Sequence, residues 1–211
     1  LAAINEYIPP LLEEGILEPS KSPWASTLVF AKKKDGRLRV CLDLTSVNPQ
    51  VVDDAYHLPR IDDLLDQLGG KMYFSSVDFT SGFHQIPLDE ESRQYTAFRV
   101  PMWGLLQYTR LPMGLKTAPA IFQRIAQRVL HGTLGLCALA YIDDIIIFSG
   151  SFTQHIKDLH KVFSQFKDAG LKVKADKCFF FRKELNYLGY DENNMPTVGQ
   201  LDASSAVQSP Q

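Results

Sequence analysis

The run Leu136–Gly150, LCALAYIDDIIIFSG, constrains this chain more than any other stretch. Two apolar arms flank the pair Asp143-Asp144. Each arm is about the length of one strand, and Ile145–Phe148 is rich in β-branched residues. The pattern predicts a tight hairpin with two acids at its tip. Two-residue hairpin turns need positive φ and so usually carry glycine, a region that aspartate tolerates only at a cost. Neighbouring carboxylates on a stiff apolar ribbon also repel, and each raises the other's pKa unless a cation offsets them. The pair is therefore either a solvated turn or part of a metal site, and a metal site needs a third oxygen ligand.

Asp78 is the candidate for that ligand. It ends the apolar stretch Met72–Asp78, which reads as a strand, and beside the hairpin it would face Asp143. Converging carboxylates suit a pair of Mg²⁺ ions, which prefer carboxylate, water and phosphate oxygens and clamp both oxygens of a phosphoryl transfer.

With 211 residues and 45% hydrophobic content, the chain suffices for one large domain or two small lobes. Cys41, Cys137 and Cys178 form no C-x-x-C pair, which argues against a zinc knuckle or disulfide framework and fits a reducing compartment. No signal peptide or membrane-length apolar run is present, so the chain is expected to be intracellular and not secreted. It begins at Leu1 and not at Met, which is expected of a piece of something longer. The net charge of −2 announces no polyanionic partner. Locally, Lys21–Arg39 holds six bases against one acid, and Lys167–Lys183 six against two. Such patches meet phosphates or are ordinary solvated faces.

Periodicity predicts a helix over residues 5–14 with Pro9-Pro10 in its first turn, and strands Thr27–Lys33 and Leu38–Leu44 joined through Asp35-Gly36. Residues 45–59 read as irregular. A helix follows with Ile61, Leu64, Leu65 and Leu68 on one face, stopped by Gly69-Gly70. Gln85–Leu88 and Tyr95–Val100 read as short strands. Helix Ala118–Leu130 would bury Ile121, Phe122, Ile125 and Val129. Helix Thr153–Ala169 would bury Ile156, Leu159, Phe163 and Phe166 and end at Gly170. Lys172–Lys174, Cys178–Arg182 and Leu185–Tyr190 read as short strands. Without a regular βαβ repeat, the expected class is α+β, an antiparallel sheet backed by helices. Residues 191–211, lacking aromatics, are expected to be disordered. His155 and His160 do not share a helical face and are read as structural or exposed. His84 is left between facing a template and filling the palm.

Several motifs then occur in order: SPWAS (Ser22–Ser26), KKKDG (Lys32–Gly36), YHLPRIDDLLDQLGG (Tyr56–Gly70), VDFTSGFHQIPL (Val77–Leu88), LPMGLKTAPAIFQ (Leu111–Gln123), YIDD (Tyr141–Asp144), GLKVKADKC (Gly170–Cys178) and LNYLGY (Leu185–Tyr190). From about Glu13 to Tyr190 the chain resembles the reverse transcriptases of gypsy-type LTR retrotransposons and, more distantly, of retroviruses. The resemblance implies a right-hand polymerase, with fingers at 1–53 and 86–117, palm at 54–85 and 118–190, and the tail 191–211 in place of a thumb. It implies Asp78, Asp143 and Asp144 as catalytic acids holding two Mg²⁺ (or Mn²⁺) ions, with the Phe79 carbonyl as a further metal ligand. It matches Phe83, or else a core aromatic, to the ring that excludes a 2′-hydroxyl. Lys33 and Arg39 match the positions that hold the triphosphate, with Lys32 and Lys34 as alternatives to Lys33. Lys177 matches a lysine that protonates leaving pyrophosphate, or is a plain surface lysine. Leu188-Gly189 match the primer grip. Met113 stands near the nucleotide, where retroviral enzymes carry glutamine.

The function implied is RNA- and DNA-directed DNA synthesis: a primer 3′-hydroxyl attacks a dNTP and pyrophosphate leaves. The implied partners are a primed RNA or DNA template and the thumb, RNase H and integrase domains of a longer Pol polyprotein. The alternative from another class is a catalytically silent retroelement remnant that binds nucleic acid or a protein. An RNA-templated RNA polymerase fits Phe83 and the motif order less well.

Overall fold

The computed structural model describes residues 2–32 and 38–185. In chain order its elements are α1 (Ala2–Glu13), β1 (Leu17–Pro19), β2 (Thr27–Lys32), β3 (Leu38–Asp43), α2 (Ile61–Asp66), β4 (Tyr73–Val77), α3 (Glu90–Arg93), β5 (Phe98–Val100), β6 (Gly104–Tyr108), α4 (Ala118–Val129), β7 (Ala138–Tyr141), β8 (Asp144–Ser149), α5 (Phe152–Asp168) and β9 (Phe179–Arg182). They divide into two units, Leu1–Ala55 with Ser81–Pro119 and Tyr56–Thr80 with Ala120–Gln211. No helix among the described residues is long and apolar enough to cross a membrane.

In the first unit, β2 and β3 pair as an antiparallel ribbon, while β1, β6 and β5 form a three-stranded sheet with β6 in the middle. Ile4 and Ile8, one helical turn apart, bury one face of α1 against Leu17, Leu42, Phe98, Leu106 and Tyr108. This helix starts three residues before the sequence predicts, so Pro9-Pro10 lie inside it and not in its first turn. The strand expected at Gln85–Leu88 is a 3₁₀ turn, Gly82–Gln85, followed by a single bridge from Pro87 to Arg110. The N–H groups that would extend that bridge into a ladder donate elsewhere, Ile86 to the Phe83 carbonyl and Thr109 to the Ile16 carbonyl. Tyr95–Val100 shortens to β5 because Gln94–Thr96 turns as 3₁₀. The Asp35-Gly36 turn lies outside the described residues.

The second unit is built on an antiparallel sheet ordered β7-β8-β4-β9. Side chains alternate between its faces. On one face Phe74, Ile146 and Phe148 pack with Leu64 and Leu68 of the α2 region. On the other, Ser75 and Ser149 meet α5, while Phe79 packs against Phe122 of α4 and Phe166 of α5 at 5.8 and 5.2 Å between ring centres. Ser151 caps α5 by accepting from the Gln154 N–H at 3.3 Å, and Gly170 follows it at φ +70°.

Both long helices turn differently from expectation. The buried face of α5 is His155, Asp158, Val162 and Phe166; Ile156 is exposed and Leu159 and Phe163 are half-buried. Two buried serines on the sheet reward a histidine and an aspartate opposite them more than an apolar stripe. Similarly α4 and the residue after it bury Phe122, Gln123, Ala126 and Leu130, leaving Ile121, Ile125 and Val129 half-buried. Lys172–Lys174 contributes one bridge, Val173 to Phe79, and no strand. Of Leu185–Tyr190 only Leu185 is described, and the tail 191–211 lies outside the described residues.

Candidate active site

Register brings two of the acids together. The last β4–β8 pair is Val77 with Ile145, so one further step sets Asp78 opposite Asp144. Opposed residues of antiparallel strands lie about 4.5–5.5 Å apart. Asp78 shares the strand parity of Phe74, and Asp144 that of Ile146 and Phe148, so both leave the α2 face of the sheet.

The hairpin tip places the third. Tyr141 pairs with Asp144, which makes Ile142-Asp143 the two-residue turn; Asp144 opens β8 and is not part of the tip. The residue in the positive-φ position is Ile142, at φ 56°, and not an aspartate. For a β-branched residue this is a strained conformation that costs on the order of 1–3 kcal/mol. Gln123 of α4 reaches this turn. Its Nε2 donates to the Ala140 carbonyl at 3.0 Å, and its Oε1 accepts from the Ile142 N–H at 2.7 Å.

The three acids sense one another. Partial burial pushes the Asp144 pKa up to about 6, and the charges of Asp143 and Asp78 add to the effect. Partial burial also raises Asp143; the Asp78 charge adds to this, while its own amide and Lys177 oppose it. Lys177 ends the 3₁₀ turn Ala175–Lys177, and its Nζ lies 3.3 Å from Asp78 Oδ2. The turn is anchored nearby, since the Lys174 N–H donates to the Asp78 carbonyl at 2.8 Å and the Thr80 N–H to the Lys172 carbonyl at 3.0 Å. That bonding pattern turns the Phe79 carbonyl away from Val173.

Asp78, Asp143, Asp144 and Lys177 thus come together in the second unit. Among the described residues, no three His, Cys, Asp or Glu side chains are gathered closely enough to hold a metal ion as they stand. The gathered carboxylates repel one another, and Lys177 partly neutralises Asp78. The donor chemistry still fits a hard divalent cation, because every candidate ligand is a carboxylate or carbonyl oxygen and a cation would relieve that repulsion.

The remaining predicted residues lie in the first unit or outside the described chain. Phe83 is half-buried in the 3₁₀ turn Gly82–Gln85, directly after Ser81 at φ 47°. Met113 is exposed, beside a loop that Asn48 fastens by donating to the Gly114 carbonyl and accepting from the Lys116 N–H, both at 2.9 Å. Arg39 lies on β3 across from Ala31. His84 is half-buried against Tyr108 of the same unit, 5.6 Å between rings. Lys33, Leu188 and Gly189 lie outside the described residues. The sequence reading passed over Gln123; its signal was a glutamine among the apolar residues Ile121, Phe122 and Ile125.

Comparison with known proteins agrees with this architecture. The family model for reverse transcriptase (RNA-dependent DNA polymerase) matches residues 31–191. The retrovirus-related Pol polyprotein from transposon 297 of Drosophila melanogaster is 41% identical over 89% of this chain, which spans 18% of that polyprotein. The foamy viral protease-reverse transcriptase in complex with double-stranded DNA superposes with a TM-score of 0.83 at 28% identity, over 99% of this chain and 37% of that one. The same viral protein in complex with an RNA/DNA hybrid gives 0.82 at 29% identity, over 89% and 25%. The α+β arrangement is that of the fingers and palm of such enzymes.

Proposed function

We propose, on the premise that this chain belongs to the reverse transcriptase (RNA-dependent DNA polymerase) family, that it extends a primer on an RNA or DNA template by adding deoxynucleotides. The observation that carries this reading is the convergence of Asp78, Asp143 and Asp144 at one end of an antiparallel sheet. The first unit corresponds to fingers and the second to palm.

Asp78 and Asp143 would hold two Mg²⁺ ions, or Mn²⁺ in their place, with Asp144 and the Phe79 carbonyl in support. Such ions, when bound, neutralise charge on the reacting phosphate and favour the ionised primer hydroxyl. The chain's own contribution is to fix the acids on two adjacent strands and at a clamped turn. Lys177, already beside Asp78, is the donor assigned to the departing pyrophosphate. Arg39 and Lys33 are assigned to the triphosphate, Phe83 to exclusion of the 2′-hydroxyl, Met113 to the nucleotide's surroundings, and Leu188-Gly189 to the primer end. Thumb, RNase H and integrase domains of a larger polyprotein are the partners proposed. Three free cysteines suit an intracellular setting.

The test is primer extension by the 211-residue chain on primed RNA and DNA, repeated with a longer chain carrying a thumb. Extension that requires Mg²⁺ and disappears in Asp143→Asn is expected; extension surviving that change refutes the site. Phe83→Ala should admit ribonucleotides, and unchanged discrimination removes Phe83 from its role. A gel shift without extension would instead support a silent domain that binds nucleic acid.

A further inference from the structure

We propose that Gln123 is a positioning residue for the polymerase reaction assigned above: its amide holds the hairpin backbone in the conformation that presents Asp143. The inference rests on that reading for its kinetic consequence only. β7 is an edge strand of its sheet, so its outward-facing main-chain groups need partners from elsewhere. Gln123 supplies them. It bonds the carbonyl of Ala140 and the N–H of Ile142, the residues on either side of Tyr141. This is the pattern a residue of a parallel neighbouring strand would make, reproduced by one side-chain amide.

The position gripped is the strained one. Ile142 takes φ 56° without glycine's freedom, and its own N–H is the group that Gln123 accepts from. Gln123 is itself wholly buried, at 0% exposure, so both amide atoms are committed to the turn. Asp143 is the next residue along the chain. A turn that relaxed to negative φ at Ile142 would re-aim the carboxylate.

A residue that merely filled the core would be replaceable by one of equal size, whereas a clamp would not. Gln123→Met keeps volume and removes both bonds. It is expected to lower kcat about thirtyfold while dNTP KM changes less than about threefold. In the Ile142→Gly background, where positive φ carries no strain, the same substitution should cost under about threefold. An equal loss in both backgrounds overturns the proposal, because it makes Gln123 a packing residue only. A second arm needs no activity: amide hydrogen exchange of residues 141–145 in the full chain. Gln123→Met should speed it about tenfold or more, with exchange at Phe181 unchanged; slow exchange retained at the turn overturns the proposal as well. If the unaltered chain extends no primer, the polymerase reading fails and the exchange arm still decides the role of Gln123. Should Gln123→Met not fold, Gln123→Asn, too short to span both groups, carries the same two measurements.

Discussion

The two ends of β8 carry polar side chains arranged on opposite plans. At Asp144, three carboxylates gather with Lys177 alongside, and burial, with repulsion added, raises the pKa of Asp143 and Asp144. At Ser149, each polar group donates to a neighbour that can accept. The Phe181 N–H donates to Ser75 Oγ at 3.2 Å, and Ser75 Oγ lies 2.7 Å from His155 Nε2. His155 Nδ1 lies 2.9 Å from Ser149 Oγ, which donates to Asp158 at 2.6 Å. Since Ser149 gives its proton to Asp158, Nδ1 must carry a hydrogen and Nε2 must accept from Ser75. The proton order selects one neutral tautomer of His155. One end of the strand is thus a closed hydrogen-bond network and the other a gathering of like charges. The difference teaches where this sheet draws its stability and where the proposed ligand site gives stability up.

That contrast can be broken by substitution. The largest effect is expected from Asp143→Asn, which should lower primer extension about 10³-fold or more, since loss of the metal ligand proposed there would cost several kcal/mol of transition-state stabilisation. Its melting temperature without metal should not fall; a clear drop would show that the acid end also holds the fold. At the other end, Ser149→Ala should cost about 2 kcal/mol in denaturant unfolding, because it strands a buried imidazole N–H and takes one donor from the Asp158 carboxylate, leaving it Gln154. Per folded molecule, extension should be retained, and a selective loss of kcat would break the division between the two ends.

The pH dependence has a defined sign. Burial holds the His155 pKa below its usual value, against the pull of Asp158. The unfolded chain therefore binds the proton more readily. The stabilisation is complete above about pH 6.5 and is lost as pH falls below that value toward the depressed folded pKa. His84, also lowered by burial, contributes in the same direction. Unfolding free energies measured from pH 7.5 to 5 should lose part of their slope in His155→Gln; an unchanged slope assigns the effect elsewhere. The smallest effect is expected from Asp144→Asn, which relieves repulsion among partly exposed charges and should stabilise the metal-free protein at pH 7.5 by about 0.5 kcal/mol. Destabilisation there would mean that the acids are better satisfied than their raised pKa implies.

Much of the acidic end was legible in the sequence. Asp78 and the Asp143-Asp144 pair each close an apolar run, and charge in that setting is conspicuous. The hydrogen-bonded end was not legible. Ile156, Leu159 and Phe163 keep the spacing of a buried stripe, yet the helix turns so that His155, Asp158 and Val162 face the sheet. Hydrophobic periodicity ranks residues one at a time, whereas Ser75 and Ser149 made a polar partner the better neighbour. Likewise the Asp-Asp pair marks the turn, but Ile142 takes the positive φ, because the register set by Tyr141 and Asp144 fixes which residues turn.

The pairing of β1 with β6, Leu17 with Tyr108, has a consequence for how the protein is made. The first unit is completed by Ser81–Pro119, after the chain has passed through Tyr56–Thr80 of the second. On the ribosome, the opening strand must wait for some ninety further residues before its hydrogen-bonding neighbour is synthesised, and α1 stays without its full packing until then. Neither unit corresponds to a continuous stretch of gene. Cutting the coding sequence at Thr80 would yield fragments that each carry parts of two cores, whereas a cut at Ala55 would divide only the first.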